Sequence, residues 1–319
     1  MSSDDRTSRP HRRGRSAVFA AAALLLVASV LGACGDNSED GSNGATGDQG
    51  ATKTTVTIGD QGFGESKILA HIYGDVLADK GVTVRYQSFK DRKASYTALE
   101  HGDIDLLPDY AASALEFLNG NAGEATPSID ETRPKLVAAL KSKNLDAADA
   151  SPAVDTNSLV VTKKTSEDKG ITTISQLTDD LRLGGPQDCP TNAGCLPALK
   201  SKYGIDLSKN FQPLDLSGPL TKKALENGDI DVAVIFSTDS TIAAKDWVVL
   251  TDDKGIFMAD NVIPVGTPKV INTYRTTLDK VSEAITTAEL TKLNKRFDVD
   301  KDDADDIADD FVDQAKLGD

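Results

Sequence analysis

The chain has 319 residues and a mass of 33.7 kDa, which is enough for a substantial core and suggests about two domains. Its composition, 39% hydrophobic, 27% charged and 5% aromatic, is that of a globular protein and excludes a disordered or fibrous one. Lys and Arg total 35 against 50 Asp and Glu, and this net charge of -15 argues against nucleic acid as a partner.

The N-terminal residues 1–33 have the pattern of a secretory signal peptide. Five arginines precede an apolar run over residues 17–33, a charge and length pattern typical of a leader rather than of a membrane span. The run ends at Leu31-Gly32-Ala33-Cys34, which resembles a lipobox, so we expect Cys34 to receive a lipid and to become the new N-terminus. A leader without lipidation and with an incidental cysteine is the alternative. The prediction is an extracytoplasmic protein anchored as a lipoprotein to the outer face of the cell membrane.

Residues 34–53 are predicted to form a flexible tether. Residues 35–52 are rich in Gly, Ser, Asn and Asp and contain no aliphatic side chain larger than Ala, so they are too polar to bury a core. A lipid, a tether and a folded domain would follow one another along the chain. The lipid would therefore attach the protein to the membrane.

The remaining cysteines, Cys189 and Cys195, lie in a short segment that would be exposed to an oxidising compartment, so we expect an intramolecular disulfide. A metal site is the alternative. It would need further ligands, and the mature chain offers only His71 and His101, neither in a zinc-like spacing. We predict no metal and no other cofactor.

From residue 54 onward, strand-like runs alternate with helical patterns. Runs at residues 54–58, 82–86 and 104–107 have strand composition, an amphipathic stripe follows the glycine-containing loop after residue 58, and residues 94–100 have a helical pattern. Strands that alternate with helices predict an α/β fold with a largely parallel sheet.

One unit occurs twice: ALEHGDID at residues 98–105 recurs as ALENGDID at residues 224–231. Each copy predicts a helix end, a glycine in the left-handed position and entry into a strand. Two independent turns that share common residues are the alternative to two lobes built alike. Because ligands bind outside the carboxyl ends of parallel strands, the segments that follow, residues 106–110 and 232–239, predict a two-lobed clamp around a small molecule.

The sequence contains few features of an enzyme. It lacks the nucleophile elbow, P-loop, dinucleotide and zinc-protease motifs, so we expect no catalysis. The acidic residues 298–310 fail the calcium-loop pattern, with Asp303 in the glycine position and Asp309 in place of the final Glu. We interpret them as an acidic helix start followed by an apolar face. A secreted hydrolase that uses paired carboxylates is the enzyme alternative.

Four stretches resemble the substrate-binding proteins of quaternary-amine ABC importers, the glycine betaine, carnitine and choline group: residues 58–69, 98–114, 224–239 and 290–311, with residues 261–265 fitting as well. The resemblance covers nearly everything after the tether. It implies a two-lobed periplasmic-binding-protein fold of type II, the Venus flytrap, with α/β lobes and two interlobe crossings near residues 155–158 and 257–262. Lobe I would comprise residues 54–157 and 261–319, and lobe II residues 158–260.

The same resemblance implies a lipid-anchored, monomeric solute-binding protein that captures a small zwitterionic or cationic solute, a quaternary-amine or related osmoprotectant. It would deliver that solute to an ABC permease and its ATPase. A ligand-sensing receptor of the same fold is one alternative, and a binder of a more polar small solute is another.

A quaternary ammonium cannot donate a hydrogen bond, so aromatic faces and acidic or carbonyl oxygens must hold it, whereas a ligand carboxylate needs N–H donors. Tyr110 matches the tyrosine of the family's P-E-Y pattern, and residues 236–239 retain its F-S-T-D. Phe63 and Phe236 could instead be core residues, and Asp155 and Asn157 could be hinge turns. The predicted ligand-binding residues are Phe63, Glu65, Ser66, Asp109, Tyr110, Asn157, Gln187, Asp188, Phe236, Ser237, Thr238, Asp239 and Asn261.

Overall fold

Two five-stranded mixed sheets with helices packed around them organise the chain. The computed structural model describes residues 54–192 and 194–318, so the predicted signal peptide, the tether and Cys34 lie outside the described residues. The strands are β1 (Thr55–Asp60), β2 (Thr83–Ser88), β3 (Leu106–Tyr110), β4 (Asp146–Ala147), β5 (Asn157–Val161), β6 (Leu183–Pro186), β7 (Phe211–Leu214), β8 (Val232–Phe236), β9 (Val248–Val249) and β10 (Val262–Gly266).

The helices follow the strands in the alternation that the sequence predicts. They are α1 (Gly64–Asp79), α2 (Arg92–His101), α3 (Ala111–Asn119), α4 (Ile129–Ser142), α5 (Lys163–Lys169), α6 (Leu196–Ala198), α7 (Pro219–Asn227), α8 (Ser240–Lys245), α9 (Pro268–Ala284), α10 (Thr287–Lys295) and α11 (Ala304–Ala315). Short 3₁₀ turns occupy Ile174–Gln176 and Ser208–Asn210, and π-helical turns occupy Leu199–Tyr203 and Arg296–Asp300.

The two sheets have equivalent strand orders, β2-β1-β3-β10-β4 and β7-β6-β8-β5-β9. In each sheet the first three strands are parallel, and the fourth runs antiparallel to both of its neighbours. The chain passes from the first sheet to the second between β4 and β5 and returns between β9 and β10. The predicted α/β fold with two crossings is confirmed. Asn157, which the predicted boundary assigned to lobe I, is the first residue of β5 in the second sheet.

The repeated unit of the sequence occupies the same structural position in each sheet. Both copies end a helix, α2 or α7, and lead into the central parallel strand, β3 or β8. Gly102 and Gly228 are left-handed, with φ of 77° and 75°, as a helix C-cap of this kind requires. The predicted helix end, glycine and strand entry are therefore confirmed in both copies.

The last aspartate of each copy joins the unit to a neighbouring strand. Asp105 Oδ2 accepts a hydrogen bond from the Thr57 amide at 2.9 Å, and Asp231 Oδ2 accepts one from the Arg182 amide, also at 2.9 Å. Thr57 lies within the neighbouring parallel strand β1, and Arg182 immediately precedes the neighbouring parallel strand β6. Through these hydrogen bonds the repeated unit sets the register of the central strands, at whose ends the candidate site lies.

Each sheet has its own core. In the first, α1 packs between the sheet and the C-terminal helices, with Ile68, Leu69 and Ile72 fully buried, as the predicted stripe requires. In the second, the disulfide between Cys189 and Cys195 lies within the apolar core, which confirms the predicted pairing.

The acidic C-terminal segment forms α11, whose apolar residues Ile307, Phe311 and Val312 are buried, in agreement with the interpretation as an acidic helix start. Within residues 54–192 and 194–318, no helix combines the length and the apolar character needed to cross a membrane.

Substituting the two capping glycines tests the shared unit. A Cβ at Gly102 or Gly228 would meet no atom within 4 Å, so the only cost of alanine is the left-handed backbone. We expect Gly102→Ala and Gly228→Ala each to lower the free energy of unfolding by about 1 kcal/mol in urea titrations. Asn at the same positions should cost less, because Asn tolerates this conformation. Equal losses for Ala and Asn would contradict the backbone explanation.

Candidate ligand-binding cleft

Two of the cavities that take residues from the sides of both sheets share lining residues, one of about 580 Å³ and one of about 240 Å³. The larger cavity is lined by residues of α2, α3, both crossing segments, the loop before α7 and the end of β8. The smaller is lined by the start of α1, the first crossing, the end of β8, the start of α8 and α10. Asp155 and Phe236 line both cavities, so the two form one continuous candidate site, the cleft.

Exposed apolar side chains concentrate in the cleft. The described residues contain eight exposed large hydrophobic side chains, and five of them line the two cavities: Phe63, Phe117, Leu216, Phe236 and Met258. The Phe63 side chain is 43% exposed and that of Phe236 is 40% exposed, so neither is a core residue. Apolar surface left open at one place marks a surface that a partner or ligand covers.

Glu65 is a buried carboxylate at the start of α1. The Tyr110 hydroxyl donates a hydrogen bond to its Oε1 at 2.6 Å, and Asn294 Nδ2 from α10 donates to its Oε2. Burial raises the pKa of Glu65, and these hydrogen bonds oppose the rise. Burial also raises the pKa of Tyr110 well above its usual value, so the phenol stays a donor. The predicted residues Glu65 and Tyr110 thus meet in one buried pair beside the Phe63 ring, whose centroid lies 6.3 Å from that of Tyr110.

Asp155 is the carboxylate that both cavities share. Thr238 Oγ1 donates to its Oδ1 at 2.8 Å. Burial, and after it the neighbouring Glu65, raises the pKa of Asp155 to about 8. Among the ion pairs formed by the described residues, none involves Asp155 or Glu65. The prediction treated Asp155 as a possible hinge turn, and its place in the crossing beside Asn157 was the available signal for a site role.

Asp109 and Ser66, both predicted ligand residues, line neither cavity. The Asp109 side chain is fully buried, forms an ion pair with Arg92 at 2.9 Å and accepts a hydrogen bond from Gln61 Nε2 at 2.8 Å. The Ser66 hydroxyl accepts from the Gln61 amide at 2.8 Å. These contacts hold the loop between β1 and α1 against β3. Asp109 and Ser66 therefore position residues that line the cleft without lining it themselves.

Of the four residues 236–239 that match F-S-T-D at the end of β8, three line the cleft and one contacts the first crossing. Phe236, Thr238 and Asp239 line the smaller cavity. The Ser237 hydroxyl instead donates to the Val154 carbonyl at 2.7 Å and accepts from the Thr156 amide at 3.0 Å. Ser237 therefore fastens β8 to the first crossing.

Asp239 and Asn261 also hold neighbouring backbone in place. Asp239 accepts from the Thr241 amide at 2.9 Å and so caps α8, and it forms an ion pair with Lys222 at 2.6 Å. Asn261 is buried, and its Nδ2 donates to the Ser151 carbonyl at 2.8 Å, which ties the two crossings together.

The remaining predicted residues differ in position. Asn157 lines the larger cavity, and its buried Oδ1 has no hydrogen-bond partner. Gln187 and Asp188 lie in the disulfide loop and line neither cavity, and Asp188 Oδ2 accepts from Asn192 Nδ2 at 3.0 Å. The structure therefore brings the first helix, β8 and the crossing to the cleft, but not the disulfide loop.

Several cleft residues were not predicted from the sequence to bind the ligand. Asn294 lies in the C-terminal stretch that resembles the importer family, and its Nδ2 also donates to the Thr238 carbonyl at 2.9 Å. The others come from helices and loops that only the fold brings together: Arg92, Glu116, Phe117, Leu216, Lys222, Met258, Asp260 and Asp298.

Comparison with known proteins identifies relatives of this chain. A family model described as the substrate binding domain of ABC-type glycine betaine transport systems matches residues 54–314. The carnitine transport binding protein OpuCC of Listeria monocytogenes is 26% identical over 265 residues, covering 78% of this chain and 83% of that protein. The glycine betaine-binding protein YehZ of Escherichia coli is 24% identical over 281 residues, covering 81% and 90%.

Solved structures show the same fold. A crystal structure of a glycine betaine/carnitine/choline ABC transporter superposes with a TM-score of 0.75 at 25% identity, covering 84% of this chain and 100% of the other. Apo YehZ of Escherichia coli superposes with a TM-score of 0.74 at 22% identity, again covering 84% and 100%.

The position of Asp109 yields a stability prediction. Arg92→Met leaves a buried carboxylate without its cation, and we expect the free energy of unfolding to fall by about 3 kcal/mol. The double variant Arg92→Met with Asp109→Asn should recover part of that loss, because it removes the uncompensated charge. Urea unfolding of the two variants and the wild type measures this. A double variant no more stable than Arg92→Met would show that the pair is not the source of the loss.

Proposed function

The chain belongs to the family of substrate-binding domains of ABC-type glycine betaine transport systems, and from this premise we propose that its cleft captures a small quaternary amine, cationic or zwitterionic, for delivery to an ABC permease. The relatives named for carnitine and glycine betaine support this class of ligand. The protein would act as a monomer and carry out no reaction on its ligand.

One observation carries the ligand class: exposed aromatic side chains and carboxylates without ion pairs line the same cleft. A quaternary ammonium has no N–H to donate, so a site can hold it only through aromatic faces and negative charge. Phe236 supplies an exposed ring to both cavities, and Asp155 a carboxylate to both. At the start of α1, beside Phe63, the first amides of the helix offer donors for a ligand carboxylate.

We propose that the ligand acts by joining two lobes. Lobe I would comprise residues 54–156 and 261–319, and lobe II residues 157–260, with the crossings as the hinge. The cleft takes side chains from both sheets, so a bound ligand would favour the closed arrangement over the open one. The permease would then recognise the faces of the closed pair.

Members of this family are extracytoplasmic substrate-binding proteins, and we propose that a lipid on Cys34 holds this one at the outer face of the cell membrane. The polar tether would let the domain reach the permease. An anchor is needed because the net charge of -15 gives no attraction to an anionic leaflet.

Titration calorimetry with betaine, choline, carnitine, proline and polyamines tests the ligand class. For the compound that binds best, we expect Phe236→Ala to weaken binding by about tenfold, because it removes the ring shared by both cavities. Leu220→Ala is the matched control, since Leu220 is 63% exposed but lines neither cavity, and it should bind as the wild type does. Absence of heat with every compound would overturn the osmolyte assignment.

The anchor has its own test. We expect the wild-type chain to fractionate with membranes and Cys34→Ser to lose the lipid and appear in the soluble fraction, as measured by fractionation and by mass spectrometry of the N-terminal peptide. Mass spectrometry that finds an unmodified Cys34 in the wild type would contradict lipidation and leave ligand binding untouched.

A further inference from the structure

The cleft contains two buried carboxylates that differ in how their oxygens are used. Both oxygens of Glu65 accept hydrogen bonds, from Tyr110 and from Asn294. Asp155 accepts one, from Thr238 to Oδ1, and Oδ2 accepts none of the hydrogen bonds found among the described residues. Asp155 lines both cavities, whereas Glu65 lines only the smaller. Asp155 therefore has one oxygen that no donor among the described residues uses, whereas each oxygen of Glu65 already accepts a hydrogen bond.

The charges that face Asp155 are mostly of its own sign. They come from the start of α1, the second crossing and the cap of α8, and they are Glu65, Asp260 and Asp239. The cations in the same cavities are already paired, Arg92 with Asp109 and Lys222 with Asp239. Among the residues that line the two cavities, the acidic side chains around Asp155 therefore have no unpaired cation to balance them.

We infer that Asp155 is the residue that recognises the positive charge of the ligand, and that it gives up a proton when the ligand binds. This inference rests on the proposed function, since it needs a cationic group in the cleft. In the empty cleft the proton neutralises the buried Asp155 carboxylate. The ligand cation then takes over that role, and the proton leaves to solvent.

The sign of the pH dependence follows from this exchange. Burial and Glu65 raise the pKa of Asp155 to about 8 in the empty protein, so the group is mostly protonated at neutral pH. A cation that contacts the carboxylate lowers this pKa, because an opposite charge favours the ionised form. Below pH 8 each bound cation should therefore displace nearly one proton, and affinity should fall by up to about tenfold for each unit by which pH drops.

Calorimetry in two buffers of different ionisation enthalpy counts the protons released. With choline and glycine betaine as probes at pH 7, we expect the wild-type protein to release close to one proton per ligand bound. Asp155→Asn should bind the probes more weakly and release almost no protons. Its affinity should hardly change between pH 6 and 8, whereas that of the wild type should change by up to about tenfold per pH unit. Asp130→Asn is the control, because Asp130 at the start of α4 is exposed and lines neither cavity, and it should keep the wild-type proton count.

The outcomes separate the two proposals. If neither probe nor any other quaternary amine binds, the proposed function fails. If a probe binds the wild type with no proton release and a flat pH profile, the proposed function stands and the role of Asp155 is overturned. If Asp155→Asn keeps the proton release, another group gives up the proton and the inference also fails. Because a wild-type protein that binds without releasing a proton overturns the role of Asp155 by itself, the inference stays falsifiable even if the variant does not fold.

Discussion

The two crossing segments are the constraint on which the site depends. They lie side by side and hydrogen-bond to each other: the Asp155 amide donates to the Asp260 carbonyl at 3.0 Å, and Val154 and Asn261 form an isolated bridge. Ser237 and Asn261 then fasten β8 and the preceding loop to this pair. Because the crossings carry Asp155 and Asp260 between the sheets, the backbone that joins the two sheets also places two acidic side chains at the centre of the cleft.

That placement has a cost that the fold must offset. Burial raises the pKa of Asp260 as well as those of Glu65 and Asp155, so three acids near the crossings are less stable as carboxylates than they would be in water. Ser113 relieves Asp260 by donating to it from both its amide and its hydroxyl. Hydroxyl and amide donors near all three acids favour the ionised forms and so oppose part of the rise in pKa that burial causes.

The sequence predicted the elements well because local chemistry determines them. The α1 stripe, the capping glycines and the apolar face of α11 depend on periodicity and on backbone conformation, which can be read along the chain. Side-chain partners across the fold are a different matter. Asp109 lies one residue before the end of β3, where a ligand residue was expected, yet it forms an ion pair with Arg92 of α2 and lines neither cavity. Nothing within the local sequence distinguishes Asp109 from Asp155, because the difference lies in which cation the fold brings near.

The repeated unit explains why the two sides of the cleft are alike in backbone and unlike in chemistry. In both copies the helix end, the glycine and the final aspartate set the central strand, and the copies diverge only after it. After β3 the chain enters α3 at once, with Asp109 and Tyr110 buried. After β8 it leaves Phe236 exposed. At the ends of the two central strands, one side therefore presents buried side chains, Asp109 and Tyr110, and the other an exposed aromatic ring, Phe236.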